Sequence, residues 1–267
     1  MRVGVLGAGG RMGRQVCRAV AEADGLELVA AVDPALAGID VRQVAGVDAP
    51  GLHVAAGPEE LVRAGAEVAV DFTVAAAAVA NLRWCAGQGI HAVAGTSGIA
   101  PADVEDLRAR FDASAANCVI AANFAIGAVL MTRFCELAAP FLEGAEVIEL
   151  HHDGKLDAPS GTAMHTAERI AAAREESGVA WPGDATTTLV VDGARGGVGP
   201  GGIHIHSVRL RGLVAHQEVV FGAVGQSLTI RHDAYDRTSF MPGVLLAVRA
   251  VAGRPGLTVG LGPLLGF

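Results

Sequence analysis

Residues 3–33 read VGVLGAGGRMGRQVCRAVAEADGLELVAAVD, which is a short apolar run, a glycine turn, a helical stretch and a second apolar run closing on an acid. Few folds accept that order. Val3, Val5 and Leu6 suit a strand buried on both faces, while Met12, Val16, Ala19 and Val20 recur at helical spacing. Together they predict a βαβ unit with parallel strands. The alternation continues with strand 68–72, helix 75–88, strand 91–94, helix 101–111 and strand 118–122. A doubly wound parallel sheet follows, with ligands expected at the carboxyl ends of its strands, where Gly7, Phe72, Gly95 and Asn123 would lie.

From about residue 145 the texture changes. A strand at 147–151 and a helix at 162–177 precede strands at 203–210, 214–221 and 227–232, the last three separated by short glycine-containing connections. That pattern predicts a second, α+β domain with a mixed, antiparallel sheet. Gly178–Gly202, rich in Gly, Pro, Asp and Thr, reads as a mobile or subunit-contacting loop. A helix at 240–252 and the run 257–261 would return to the first domain.

The chain has 267 residues, 51% of them hydrophobic and 18% charged, which suits two ordered domains. Its formal net charge of -8 argues against a nucleic-acid partner, because that role needs clustered Lys and Arg. Cys17, Cys85, Cys118 and Cys135 form no CxxC pair and no zinc-ligand spacing, so buried, reduced thiols are expected. MRVGVLGAGG is not an export signal, and a cytoplasmic location follows as an expectation. The uncharged stretch 113–132 reaches membrane-spanning length, but Asn117, Asn123 and Gly127 interrupt it. It reads as a strand, a turn and the start of a buried helix, and no membrane partner is expected.

In GAGGRMG the glycines are spaced GxxGxxG, from Gly7, Gly10 and Gly13, and Met12 stands where GxGxxG would have its third glycine. Such a turn lets backbone approach a pyrophosphate, with a helix N-terminus behind it; it also serves as a packing device without any ligand. Asp33 favours the first use, since it ends the next strand about twenty residues on, where a carboxylate can accept from an adenosine ribose. Pro34 follows instead of a basic residue, which leans toward NADH over NADPH, although Arg11 or Arg14 could reach a 2′-phosphate.

Residues 149–163, ELHHDGKLDAPSGTA, hold the densest polar cluster. On a strand His151 and His152 point to opposite faces, and Lys155 places a cation nearby, so a metal site is disfavoured. A capped polar loop is one alternative. The other is a proton-donating, anion-binding site, in which Lys155 and the histidines accompany a helix start capped by Ser160 or Thr162. His204 and His206 read as sheet surface or subunit contact, and His216, His232 and their neighbours Gln217 and Asp233 as structural.

With these motifs, VDFT at 70–73, GIHAVAGTSG at 89–98, NFAIGAVL at 123–130 and GLVAHQEVVFG at 212–222, the whole chain resembles the 4-hydroxy-tetrahydrodipicolinate (dihydrodipicolinate) reductases. HHxxKxDAPSGTA is specific to that family; the glycine turn alone is not. The resemblance implies a Rossmann-like dinucleotide-binding domain, residues 1–124 and 236–267, and a substrate-binding and tetramerisation domain, 125–235, with a hinge between them. It implies that Gly7, Ala8, Gly9, Gly10, Arg11 and Met12 hold the pyrophosphate of NADH or NADPH and Asp33 the ribose. Gly95, Thr96, Ser97, Ala121, Ala122, Asn123 and Phe124 would line the nicotinamide side. His151 and Lys155 would transfer protons, and His152, Lys155, Gly161 and Thr162 would bind a cyclic dicarboxylate, with no metal. The implied assembly is a homotetramer. Ser97 and Ala122 depart from the family's GTTG and APNF; losing that proline would loosen the loop carrying Asn123 and Phe124. Two other readings are a non-catalytic dinucleotide-binding sensor and a related oxidoreductase acting on a sugar or another imine acid. Asp157 has no role legible in the sequence.

Overall fold

Strand β1 (Arg2–Leu6) passes through the glycine turn into helix α1 (Arg11–Glu22) and returns as β2 (Glu27–Val32), parallel to β1. The computed structural model describes residues 1–267, which fall into two units: Met1–Ile126 with Arg237–Phe267, and Gly127–Asp236. The first unit continues through α2 (Val41–Ala45), β3 (Val54–Ala55), α3 (Glu59–Arg63), β4 (Val68–Asp71), α4 (Ala75–Gln88), β5 (His91–Ala94), α5 (Pro101–Asp112) and β6 (Cys118–Ile120). Helix α4 stops because Gly89 adopts a left-handed conformation at φ 70°, and its N–H returns to the carbonyl oxygens of Ala86 and Cys85.

The second unit takes in most of α6 (Ile126–Ala138), followed by β7 (Gly144–His151), α7 (Gly161–Ser177), β8 (Gly197–Val198), β9 (His204–Arg209), β10 (Ala215–Ala223) and β11 (Gln226–Ala234). Its strands lie in the order β11-β10-β7-β9-β8. Only β7 and β9 pair in parallel, so the sheet is mixed. Met131, Val147, Ile170, Ile205, Val219 and Phe221 fill its core. Within it the Gln217 side-chain N–H donates at 2.8 Å to the Thr166 hydroxyl, which pairs with that of Thr132 at 3.1 Å.

The chain then re-enters the first unit as α8 (Met241–Ala250), β12 (Leu257–Val259) and α9 (Gly262–Leu265). The completed sheet runs β12-β6-β5-β4-β1-β2-β3, parallel throughout. Strand order reverses at β1, so the carboxyl end of β1 sits at a topological switch point. Leu6, Leu61, Leu82, Leu107, Phe111 and Ile120 are among the buried side chains packing this unit.

The predicted α/β class, with one parallel and one mixed sheet, is the observed one. The pattern did not reveal α2, β3 and α3, whose five, two and five residues are too short to show a hydrophobic period. Strand β8 is a two-residue pairing inside the segment read as a loop. That segment is also tied to the second sheet by Arg195, which donates to Glu146 at 2.6 Å and to Asp184 at 3.5 Å. Residues 113–132 form β6, a turn and the start of α6, and no helix is long and apolar enough to cross a membrane.

Candidate active site

In the first unit the glycine turn is built around close backbone approaches. Gly7 has φ +77°, a conformation L side chains rarely adopt. A Cβ at Gly13 would lie 1.9 Å from the Gly7 carbonyl oxygen, so only glycine seats α1 against the turn. Helix α1 has no side-chain cap, and the N–H groups of Arg11, Met12 and Gly13 precede any intrahelical acceptor. Such a helix start can hold an anion. Asp33, at the end of β2, accepts from the Gly9 N–H at 3.0 Å and the Ala35 N–H at 3.1 Å. These bonds aim its carboxylate at the turn while leaving acceptor capacity for a hydroxyl. Arg14 donates to the Gly9 carbonyl at 2.9 Å, and Arg11 is exposed. The cradle therefore suits a dinucleotide.

At the ends of β4, β5 and β6 a buried carboxylate organises the loops. Asp71 accepts from the Thr73 N–H at 2.9 Å, the Thr73 hydroxyl at 2.7 Å, the Asn81 side chain at 2.7 Å and the Thr96 hydroxyl at 3.3 Å. A Cβ at Gly95 would enter the Phe72 ring, and Phe72 packs against Phe124 with centroids 5.9 Å apart. Ser97 is exposed. Ala121 is buried and its N–H donates to the Ala94 carbonyl at 3.0 Å; Ala122 is exposed. Just downstream of Ala122 the Asn123 side chain accepts from the Ala125 N–H at 2.9 Å and Phe124 is buried.

The second unit carries the His/Lys segment. His151 is the last residue of β7, and its Nδ1 lies 2.5 Å from Glu149. His152, Gly154 and Asp157 are exposed, while Lys155 is half-buried and donates to both oxygens of Asp157, at 2.8 and 2.9 Å. The peptide bond Ala158–Pro159 is cis. Ser160 is buried, and its hydroxyl caps α7 by accepting from the Ala163 N–H at 3.2 Å. The N–H groups of Gly161 and Thr162, in the first turn, have no intrahelical acceptor and can hold a carboxylate.

Sequence reasoning assigned no site role to Glu149 and Arg209. Glu149 is fully buried, and Arg209 donates to its two oxygens at 2.8 and 2.7 Å. Glu149 shares a strand face with His151, which is the signal a period of two would have provided. Arg209 reaches the site through the parallel β7–β9 pairing, across a gap in sequence that no local pattern bridges. Burial works to raise the Glu149 carboxyl, but hydrogen bonds from Arg209, Ser207 and His151 outweigh it and hold it below the usual carboxylate range. Burial pushes the His151 imidazole below its ordinary value; Glu149 opposes this, whereas Lys155 and Arg209 reinforce it.

The histidines of the second sheet, read from the sequence as surface or structural, pack or pair within the second unit. His206 lies 2.7 Å from Glu146, and His204 lies 2.7 Å from the Arg195 carbonyl and 3.2 Å from Asp184. His216 pairs with Asp233 at 2.7 Å, and the His232 ring packs where a Cβ on Gly127 would lie.

Residues 1–124 match the family model "Dihydrodipicolinate reductase, N-terminus" and residues 127–265 the model for its C-terminus. The chain is 51% identical over 268 positions to the 4-hydroxy-tetrahydrodipicolinate reductase of Cutibacterium acnes, covering 100% of this chain and 99% of the relative. It is 52% identical over 266 positions to that of Nocardia farcinica, covering 99% and 98%. The dipicolinate-bound dihydrodipicolinate reductase from Paenisporosarcina sp. TG-14 superposes with a TM-score of 0.87 at 37% identity, covering 98% of each chain. The chain belongs to the dihydrodipicolinate reductase family.

Proposed function

We propose that the chain is an NAD(P)H-dependent reductase that converts 4-hydroxy-tetrahydrodipicolinate to tetrahydrodipicolinate, with loss of water, in the diaminopimelate route to lysine. The observation that carries this reading is the convergence, in residues 149–162, of an imidazole on a buried carboxylate, a lysine and a helix start whose Gly161 and Thr162 N–H groups have no intrahelical acceptor. A nicotinamide dinucleotide supplies the hydride when bound. Gly7 to Met12 hold its pyrophosphate and Asp33 its adenosine ribose. Gly95, Thr96 and Ser97, with Ala121 to Phe124, line the nicotinamide side, and Asp71 orients Thr96.

His152, Lys155 and the first-turn N–H groups of Gly161 and Thr162 bind the substrate's carboxylates. His151 and Lys155 deliver the proton that the product requires, where negative charge develops on the ring. NADH is the preferred donor, because Asp33 presents an anion to the adenosine ribose and the next residue, Pro34, adds no basic side chain for a 2′-phosphate. The chain works as a homotetramer in the cytoplasm, and light scattering on the eluted protein should give about four times 27.0 kDa.

The test generates the substrate in place from pyruvate and aspartate semialdehyde with the preceding synthase. NADH and NADPH oxidation are then followed separately. Oxidation of both, faster with NADH, is the expected result; no oxidation of either would leave a sensor or another substrate.

A further inference from the structure

We propose that Glu149 and Arg209 are positioning residues for His151: the carboxylate, clamped by the guanidinium, fixes the imidazole as its Nδ1–H tautomer and leaves Nε2 to exchange the proton with substrate. This rests on the reading above that His151 transfers a proton.

Oε1 of Glu149 accepts from Arg209 Nη2 at 2.7 Å and from the Ser160 N–H at 3.2 Å. Oε2 accepts from Arg209 Nη1 at 2.8 Å and faces His151 Nδ1 at 2.5 Å. An ionised carboxylate only accepts, so Nδ1 must carry the hydrogen. The neutral ring then has its lone pair on Nε2, the atom pointing away from the pair. This is the arrangement a general acid or base needs when a carboxylate orients it.

The same two side chains hold the rest of the site. The Glu149 bond to Ser160 anchors the cap residue of α7, whose first turn is the carboxylate holder. Arg209 Nη2 also donates to the Asp157 backbone carbonyl at 2.7 Å, which ties down the loop that carries Lys155. One buried pair therefore registers the imidazole, the lysine loop and the helix start against one another. The charged groups acting on His151 are Glu149 on its own strand, Arg209 from β9 and Lys155 from the following loop. The residue opposite it on β10 is the uncharged Ala215.

Two variants separate positioning from simple structural support. Glu149→Gln removes the anion that favours the protonated ring, so the pH limb of kcat/KM that reports His151 should move to lower pH. Arg209→Gln removes a cation that disfavours that form, so the limb should move to higher pH. Both should lower turnover roughly tenfold or more. Limbs that stay in place in both folded variants would overturn the inference.

Nitrogen NMR of histidine-labelled, ligand-free protein provides a readout independent of activity, with His151 assigned by its loss in His151→Gln. The wild-type ring should carry its hydrogen on Nδ1. A wild-type ring with the hydrogen on Nε2 overturns the inference even if neither variant folds. Wild-type protein that oxidises neither cofactor would instead sink the reductase reading, while the NMR result still decides the tautomer.

Discussion

Lys155 Nζ donates to both carboxylate oxygens of Asp157, at 2.8 and 2.9 Å, so the cation assigned to substrate already has an internal anion. The lysine ammonium holds the Asp157 carboxyl below its usual range. A substrate carboxylate must compete with this partner. Because Asp157 is exposed, the pair is well screened, and Asp157→Asn should lower substrate KM by up to about fivefold with little change in kcat. A higher KM would show that Asp157 serves to hold Lys155 in its working pose.

Proton delivery makes a larger demand. His151→Ala and Lys155→Ala should each lower turnover by about a hundredfold or more, as expected for lost general acid-base catalysis. Steady-state kinetics with saturating NADH measures this. Near-normal turnover in both variants would remove these residues from the mechanism.

Acid should weaken the first unit through His91. Its Nδ1 accepts from the Asn117 N–H at 2.9 Å, which requires a neutral ring, and burial lowers its pKa from the ordinary 6.5 against a smaller opposing effect of Glu67. The folded value lies below the unfolded one, so the unfolded chain takes up the proton more readily. Stability is intact above 6.5 and erodes as pH falls below it toward and through the folded value. His151 and His232, also lowered chiefly by burial, give the second unit the same dependence. His91→Asn keeps a side-chain acceptor without the titration, and its melting temperature should fall less steeply than wild type between about pH 7.5 and 5.5.

The glycine turn admits a steric test. In Gly13→Ala the new Cβ starts 1.9 Å from the Gly7 carbonyl oxygen, and both partners are backbone or fixed to it. The helix start must shift, at a cost of about 1–3 kcal/mol for overpacking. Thermal unfolding should report that loss, and NADH fluorescence titration should show weakened binding; an unchanged dissociation constant would mean that the turn has no part in holding the cofactor.

Much of this chain is written locally. The run from Val3 to Asp33, the helix 75–88 and the strand 91–94 are legible because burial on one or both faces imposes a period that short stretches display. ELHHDGKLDAPSGTA likewise shows its histidine, lysine and capped helix start, since these lie within fifteen consecutive residues. The pieces between residues 34 and 67 escaped because elements of two to five residues carry no period.

The sequence by itself therefore determined the two-sheet architecture and showed the His151, Lys155 and helix-start groups of the candidate site. Tertiary structure decided how those groups are held. Parallel pairing of β7 with β9 brings Arg209 to Glu149, and the β4–β5 pairing brings Thr96 to Asp71. Burial supplies the physical reason: a carboxylate without water must find its donors inside the fold, and where local groups do not suffice they come, as Arg209 and Thr96 do, from strands or strand ends that are neighbours in space while distant in the chain.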